Sequence, residues 1–233
     1  RKKSSKFILK CLDLAHNLAL KGETAGLVNC AISKNLLNKQ KIGVTEYLAS
    51  KSSLKNDSEV MLIMNNKLSV SPITTHINIK DISKKLKKEL IINKVKTIEF
   101  WYQKKFKKKA KIAILGLNPH NAELRETSEE RKIIIPAINK LKKLGINING
   151  PLVSDTIFIN DYKKFDVIVG MYHDQVLAPF KALFKFNAIN ITLGLKYLRV
   201  SPDHGVAKNL IGKNIADTTS LLQCINFINK FGK

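Results

Sequence analysis

The strongest constraint on the fold of this chain is a series of short segments that are apolar throughout, such as Val60–Met64 and Asp166–Tyr172. Strands buried on both faces have this pattern, whereas strands with one face in water alternate apolar and polar residues. Helical patterns separate these segments, among them Lys6–Lys21, which Gly22 ends, and Glu129–Leu144. The chain is therefore predicted to be an α/β protein with mostly parallel sheets flanked by helices.

The remaining predicted elements follow the same alternation along the chain. Further strands are expected at Thr24–Asn29, Leu68–Ile73, Lys111–Leu117 and Ala188–Leu193, and Pro151–Phe158 is an otherwise apolar segment that carries Asp155. Further helices are expected near Ser33–Leu37 and at Ile42–Ala49, Ile79–Lys109, Asp174–Phe184 and Thr218–Lys230. Residues Arg199–Gly205 are predicted to form a loop.

The net charge of +23 ordinarily indicates nucleic acid or an anionic membrane as a partner. The lysines, however, are spread along the chain with Asn and Ile, as codon bias in a genome poor in G and C would place them, and no nucleic-acid-binding motif accompanies them. The alternative is a basic helix whose Trp101, Tyr102 and Phe106 stack on single-stranded nucleic acid. We predict no nucleic acid and no membrane partner, and a surface that attracts phosphorylated anions.

The cysteines and the chain start bear on the compartment. Three cysteines are present, an odd number whose spacings match neither a zinc knuckle nor a disulfide framework, so a reducing cytoplasm is expected. The chain begins at Arg1 without a signal pattern or an apolar segment of membrane-spanning length. A soluble fragment whose natural start lies upstream is the expectation.

Three histidines, His76, His120 and His173, each follow a different apolar segment. The carboxyl ends of parallel strands meet at one edge of a sheet, where three imidazoles would form a divalent metal site. Spacing alone leaves structural roles for these histidines open. Lys181 and Arg199 are candidates to hold phosphate or carboxylate, and a lysine beside a metal can move protons. The sequence contains no GxGxxG, GxxxxGK[ST] or GxSxG motif.

Several short strings occur in one order over nearly the whole chain: TTH at Thr74–His76, GLNPH at Gly116–His120, GP with DTIF within 150–158, MYHDQ at Met171–Gln175, NITLGL at Asn190–Leu195 and DHG at Asp203–Gly205. Together they resemble the 4-hydroxythreonine-4-phosphate dehydrogenase family of pyridoxal phosphate biosynthesis. The resemblance implies NAD-dependent oxidation of a secondary alcohol, then decarboxylation to an aminoketone phosphate. It also implies a homodimer whose active site is completed across the subunit interface.

The resemblance also implies roles for individual residues. The divalent metal (Zn, Mg or Co) would be bound by His76, His120 and His173. The substrate would be bound by Thr45, Lys181, Asn190 and Arg199, with Lys181 and Asp155 as catalytic residues. The cofactor NAD would be approached by Gly194, Asp203 and His204.

The family fold implies two lobes with a cleft between them. Residues 1–22 and 179–233 would be the remainder of the first lobe, 23–178 the second lobe with the metal site and dimer contacts, and the N-terminal part of the family fold would be missing. Val44 stands where the family commonly has a histidine before Thr45, and the family glycines are replaced within Asn121–Thr127. A related dehydrogenase for another 4-phosphorylated hydroxy acid, an inactive paralogue and, more distantly, a basic nucleic-acid-binding protein are the alternatives.

Overall fold

A computed structural model describes residues 2–33, 43–52 and 58–232. Within these ranges eight strands form one sheet in the order β1-β8-β7-β2-β3-β6-β4-β5. The strands are β1 Leu27–Val28, β2 Val60–Met64, β3 Ser69–Thr74, β4 Ile112–Leu115, β5 Ile148–Leu152, β6 Val167–Tyr172, β7 Ile189–Leu193 and β8 Arg199–Pro202. Residues 34–37 of the helix expected near Ser33–Leu37 lie outside the described residues.

Helices cover both faces of the sheet, as predicted from the apolar strands. They are α1 Lys2–Leu20, α2 Val44–Lys51, α3 Ile82–Lys85, α4 Lys88–Phe106, α5 Ile135–Lys143, α6 Ser154–Ile157, α7 His173–Phe184 and α8 Thr219–Phe231. Side chains of α4, α5 and α8 pack with the strands in one core, and those of α6 and α7 pack on the opposite face. The α/β class is confirmed.

The sheet is mixed. Strands β3, β6, β4 and β5 pair in parallel as neighbours, as do β1 and β8, whereas β2 and β7 pair antiparallel with their neighbours. The parallel part places the carboxyl ends of β3, β6 and β4 at one edge. This edge lies beneath the three segments that carry His76, His173 and His120.

Two predicted elements are wrong. The loop expected at Arg199–Gly205 begins with β8, whose Arg199 and Ser201 are polar but pair with Thr192 and Asn190 of β7. The single helix expected over Ile79–Lys109 is interrupted, because Leu86 and Lys87 have extended backbones and Leu86 turns its side chain into the core. Local composition predicted the wrong element in both places, because tertiary contacts decide these conformations.

Two further observations concern partners and lobes. No helix among the described residues is long and apolar enough to cross a bilayer. Trp101 is 7% and Tyr102 is 3% exposed, so these rings belong to the core and are not available to stack on bases. The described strands form one continuous sheet, and its strand order marks no boundary at residue 22 or 178. The division into two lobes therefore stays a prediction.

Candidate active site

Two of the predicted metal-binding histidines lie side by side at the carboxyl edge of the sheet. His76 follows β3, and His173 begins α7 immediately after β6. These strands are parallel neighbours with Thr74 opposite Tyr172, and the Thr74 hydroxyl donates a hydrogen bond of 2.7 Å to the Met171 carbonyl. The centroids of the two imidazole rings are 5.8 Å apart. Strand pairing therefore brings together residues nearly a hundred positions apart.

The chemistry of this pair suits a divalent metal. The Nδ1 atom of His173 is 2.6 Å from the Asp174 carboxylate. A carboxylate that accepts the Nδ1 hydrogen leaves Nε2 with its lone pair, which is the arrangement common among metal-binding histidines. His76 is exposed at the same edge and lines the same cleft. Two of the three predicted ligands, His76 and His173, therefore fit a divalent metal.

The third predicted ligand lies apart from this pair within one chain. His120 is exposed on the segment after β4, one strand beyond β6. No group of three His, Cys, Asp or Glu side chains in the described part of the chain is placed to hold a metal ion. Asp155 is also exposed, at the start of α6 after β5. His120 and Asp155 thus follow neighbouring strands at the same edge, outside the cleft of the His76 pair.

A buried arginine forms a second part of the site. Arg199 is 2% exposed and begins β8, where it pairs with Thr192 on β7. Its Nη1 donates to the hydroxyls of Thr192 at 3.0 Å and Thr45 at 3.3 Å, and its Nε donates to Asn29 at 2.8 Å. These acceptors fix the orientation of the guanidinium, whose planar N–H groups are suited to bind a phosphate or carboxylate of a ligand.

Lys181 and Asp203 form a third part. The Lys181 ammonium is 3.2 Å from the Asp203 carboxylate and donates to the Asp203 carbonyl at 2.9 Å. Burial raises the pKa of Asp203 above its ordinary value, although Lys181, His173 and His204 act in the opposite direction. Lys181 is about one third exposed in this pair. Its ammonium is therefore held by a buried acidic group and still reaches the cleft.

These parts share one cleft of about 360 Å³. Eight of the eleven residues predicted to form the site line it: Thr45, His76, His173, Lys181, Asn190, Arg199, Asp203 and His204. The Asn190 side-chain oxygen is buried and accepts no hydrogen bond from the described residues. A buried acceptor without a donor is costly, so a polar ligand at this position would satisfy it.

The structure adds residues that the motifs did not indicate and places one predicted residue elsewhere. Asn29 and Thr192 orient Arg199, and Thr192 could have been expected because it lies two residues from Asn190 on the same face of β7. Gly194 lines a different and larger hollow. The residues predicted to approach NAD are thus divided between two places, with Asp203 and His204 in the cleft.

The fold and the cleft define an α/β domain with a cleft at the edge of its sheet, lined by imidazole, ammonium and guanidinium groups. The model of the pyridoxal phosphate biosynthetic protein PdxA family matches residues 1–228. The chain belongs to this family, as the sequence resemblance predicted.

Individual relatives agree with the family match. The chain is 43% identical over 229 residues to a 4-hydroxythreonine-4-phosphate dehydrogenase of a Sulfurihydrogenibium species, covering 96% of this chain and 70% of that protein. It is 35% identical over 221 residues to a candidate D-threonate 4-phosphate dehydrogenase of Oceanobacillus iheyensis, covering 92% of this chain and 66% of that protein. The crystal structure of the Klebsiella pneumoniae 4-hydroxythreonine-4-phosphate dehydrogenase matches with a TM-score of 0.85 and 28% identity, covering 100% of this chain and 72% of that one.

Proposed function

We propose that this chain supplies the site for NAD- and metal-dependent oxidation, with decarboxylation, of 4-phosphooxy-threonine to an aminoketone phosphate in the cytoplasm. The observation that carries the proposal is the gathering of His76, His173, Lys181, Asn190 and Arg199 around one cleft. Family names supply the reaction class, because the Sulfurihydrogenibium and Klebsiella relatives are named as 4-hydroxythreonine-4-phosphate dehydrogenases.

The side chains of the cleft support this reaction by binding and by proton transfer. Arg199, held by Thr45, Thr192 and Asn29, is oriented to bind a phosphate or carboxylate of the substrate. Asn190 offers its buried amide oxygen to a hydroxyl or ammonium donor. Lys181 reaches the cleft from its pair with Asp203 and would move the proton of the reacting alcohol.

The proposed metal would be held by His76 and His173, with His120 of a second copy of the chain as the third ligand. The exposure of His120 and its distance of one strand from β6 support a ligand given to a neighbouring subunit. This assigns a homodimer to the active form. A divalent cation there would supply Lewis acidity toward the substrate oxygens, and NAD would accept the hydride.

Val44 supports a second substrate within the same class. Its side chain lines the cleft beside Thr45, at the position where the family commonly has histidine. Valine neither donates nor accepts a hydrogen bond, so a substrate group that histidine would bind loses that contact here. The similarity to the Oceanobacillus protein, named for D-threonate 4-phosphate, favours including other 4-phosphorylated hydroxy acids as candidates.

The test is the rate of NADH formation with zinc, magnesium or cobalt and a panel of 4-phosphorylated hydroxy acids. We expect 4-phosphooxy-threonine to give the highest kcat/KM, with carbon dioxide released in equal amount. A higher kcat/KM with 4-phospho-threonate would assign the second substrate. If the chain binds metal but forms no NADH with any member of the panel, it is an inactive paralogue.

Replacing His120 separates the metal assignment from the fold. His120→Ala should lower the bound metal and abolish NADH formation with little change in folded protein, because His120 is exposed. Elemental analysis measures the bound metal, and circular dichroism measures the amount of folded protein. Full metal content and activity in His120→Ala would show that the ligand assignment is wrong.

A further inference from the structure

Glu130 is a buried carboxylate that the proposed chemistry does not use. It is 0% exposed at the start of the helical turn before α5. One of its oxygens accepts the backbone N–H groups of Leu117 at 2.7 Å and Asn118 at 2.8 Å. The other accepts the Asn118 side-chain amide at 3.1 Å. All its described partners therefore belong to the segment that leads to His120.

The charge of Glu130 is maintained by these contacts. Burial by itself raises the pKa of Glu130, but the hydrogen bonds from Asn118 and Leu117 outweigh burial and hold the pKa below its ordinary value. An ionised carboxylate forms stronger and shorter hydrogen bonds than a neutral acceptor does. Glu130 thus holds residues 117 and 118 firmly at the end of β4.

A second side chain holds the same segment from the other side. Gln175 donates to the Gly116 carbonyl at 2.6 Å and accepts the Met171 N–H at 2.6 Å, so it joins the ends of β4 and β6. A Cβ atom at Gly116 would come within 2.0 Å of the Asn121 side chain. The segment from Gly116 to Asn118 is therefore closely packed and bonded along its backbone.

The residues that follow have an unfavourable backbone that needs such support. His120, Asn121, Ala122, Glu123 and Leu124 all have φ between 46° and 56°. Residues with a Cβ atom rarely adopt this left-handed region, and runs of them are rarer still. The orientation of His120 thus depends on contacts outside the run, of which those at Leu117 and Asn118 immediately precede it.

We propose that Glu130 is a positioning residue that fixes the end of β4 and thereby the direction in which His120 is presented. The proposal rests on the proposed function, in which His120 is a metal ligand. Glu130 makes no contact with the cleft. It acts through Leu117 and Asn118, as supporting residues do in metal sites.

The chain contains a matched control at the opposite end of the same strand. Glu99 is 5% exposed, and its carboxylate accepts the Ala110 N–H at 3.0 Å and the Gln103 side-chain amide at 2.6 Å. It therefore holds the amino end of β4 as Glu130 holds the carboxyl end. Glu99→Gln and Glu130→Gln each replace one acceptor oxygen by a donor NH₂ group, but only the second is near His120.

The test measures Co²⁺ affinity by visible absorption, together with amide hydrogen exchange, in the full chain and both variants. Glu130→Gln should weaken Co²⁺ binding by roughly tenfold to a hundredfold and speed exchange at residues 117–121. Glu99→Gln should leave the affinity unchanged even if it lowers Tm as much. Unchanged affinity and exchange in Glu130→Gln, or equal loss of affinity in both variants, would overturn the positioning role.

Two further results also bear on the role of Glu130. If the unsubstituted chain binds no Co²⁺, the proposed function fails, and amide hydrogen exchange alone tests the positioning role. Faster exchange at 117–121 in Glu130→Gln than in Glu99→Gln would support that role. Equal exchange in the two variants would overturn it. If Glu130→Gln does not fold, Asn118→Ala removes the side-chain bonds to Glu130 and to Glu129 and keeps the two backbone bonds to Glu130. A smaller loss of Co²⁺ affinity is then expected, and unchanged affinity overturns the proposal.

Discussion

Two hollows formed by the described residues differ in size and in side-chain chemistry. The larger, about 790 Å³, lies between the end of α1, the side of α4 and the connection from β7 to β8. The smaller, about 360 Å³, holds the histidine pair, Lys181, Asn190 and Arg199. Volume alone would select the larger as the active site, whereas side-chain chemistry selects the smaller.

The two hollows differ in the contacts that their polar side chains make. In the larger hollow, Tyr197 bonds to His16 at 2.7 Å and Lys105 donates to the Phe231 carbonyl, contacts that join helices and a connection. In the smaller cleft, the lining residues Arg199 and Asp203 are buried, and the Asn190 oxygen has no donor among the described residues. Buried polar groups directed at a cleft are costly for folding, so they indicate ligand binding better than volume does.

The largest expected effect comes from exchanging one lysine in each hollow for methionine. Lys181→Met should lower kcat by about 10²- to 10⁴-fold, the usual range for removing a group that transfers a proton. Lys104→Met, in the larger hollow, should leave kcat unchanged. Steady-state NADH formation measures kcat of both variants. Equal losses of kcat would show that side-chain chemistry does not distinguish the active cleft from the larger hollow.

Lys181→Met also leaves the Asp203 carboxylate buried without its ammonium partner, which lowers stability. The double variant Lys181→Met/Asp203→Asn removes that charge and should recover Tm but not kcat. Recovery of kcat along with Tm would mean that Lys181 acts through stability alone.

An intermediate effect is expected for Arg199→Lys, which keeps the charge but loses the planar fork. A hydrogen bond to a charged group is worth roughly 1.5–3 kcal/mol, so kcat/KM should fall about tenfold to a hundredfold. The loss should be in KM rather than kcat if Arg199 only binds the substrate anion. A variant with unchanged KM would remove Arg199 from the binding site and leave it a structural residue between β7 and β8.

The smallest effect concerns the stability contributed by His16, which bonds to Tyr197 in the wall of the larger hollow. His16 is 3% exposed, and burial lowers its pKa from 6.5, with Lys51 acting in the same direction and Asp13 against it. Below pH 6.5 the unfolded chain binds a proton at His16 before the folded chain does, so stability is retained above this pH and falls as the pH decreases.

Urea unfolding of the unsubstituted chain and His16→Gln at several pH values between about 7.5 and 5.5 isolates this contribution. The unsubstituted chain should lose up to about 1.4 kcal/mol more per pH unit than the variant. NADH formation by the variant should be unchanged at neutral pH. Parallel pH profiles of unfolding would show that His16 does not carry the effect.

Elements buried on both faces were predictable because their residues are apolar throughout. β2 was predicted at Val60–Met64, where it is found, and His173 was expected immediately after β6. β8 was missed because Arg199 and Ser201 resemble loop residues until β7 supplies their partners. The break at Leu86 was missed because the helical pattern continues across it, and only the core position of that side chain reveals the extended backbone.

The sequence by itself determined the α/β class, the family, and eight residues that line one cleft, since these depend on local apolar patterns and on motif order. Only the tertiary structure decided that His76 and His173 are neighbours, that Asn29 and Thr192 hold Arg199, and that Glu130 supports the segment before His120. The physical reason is that strand pairing and hydrogen bonding across long sequence separations depend on sheet order and register, which no single segment encodes.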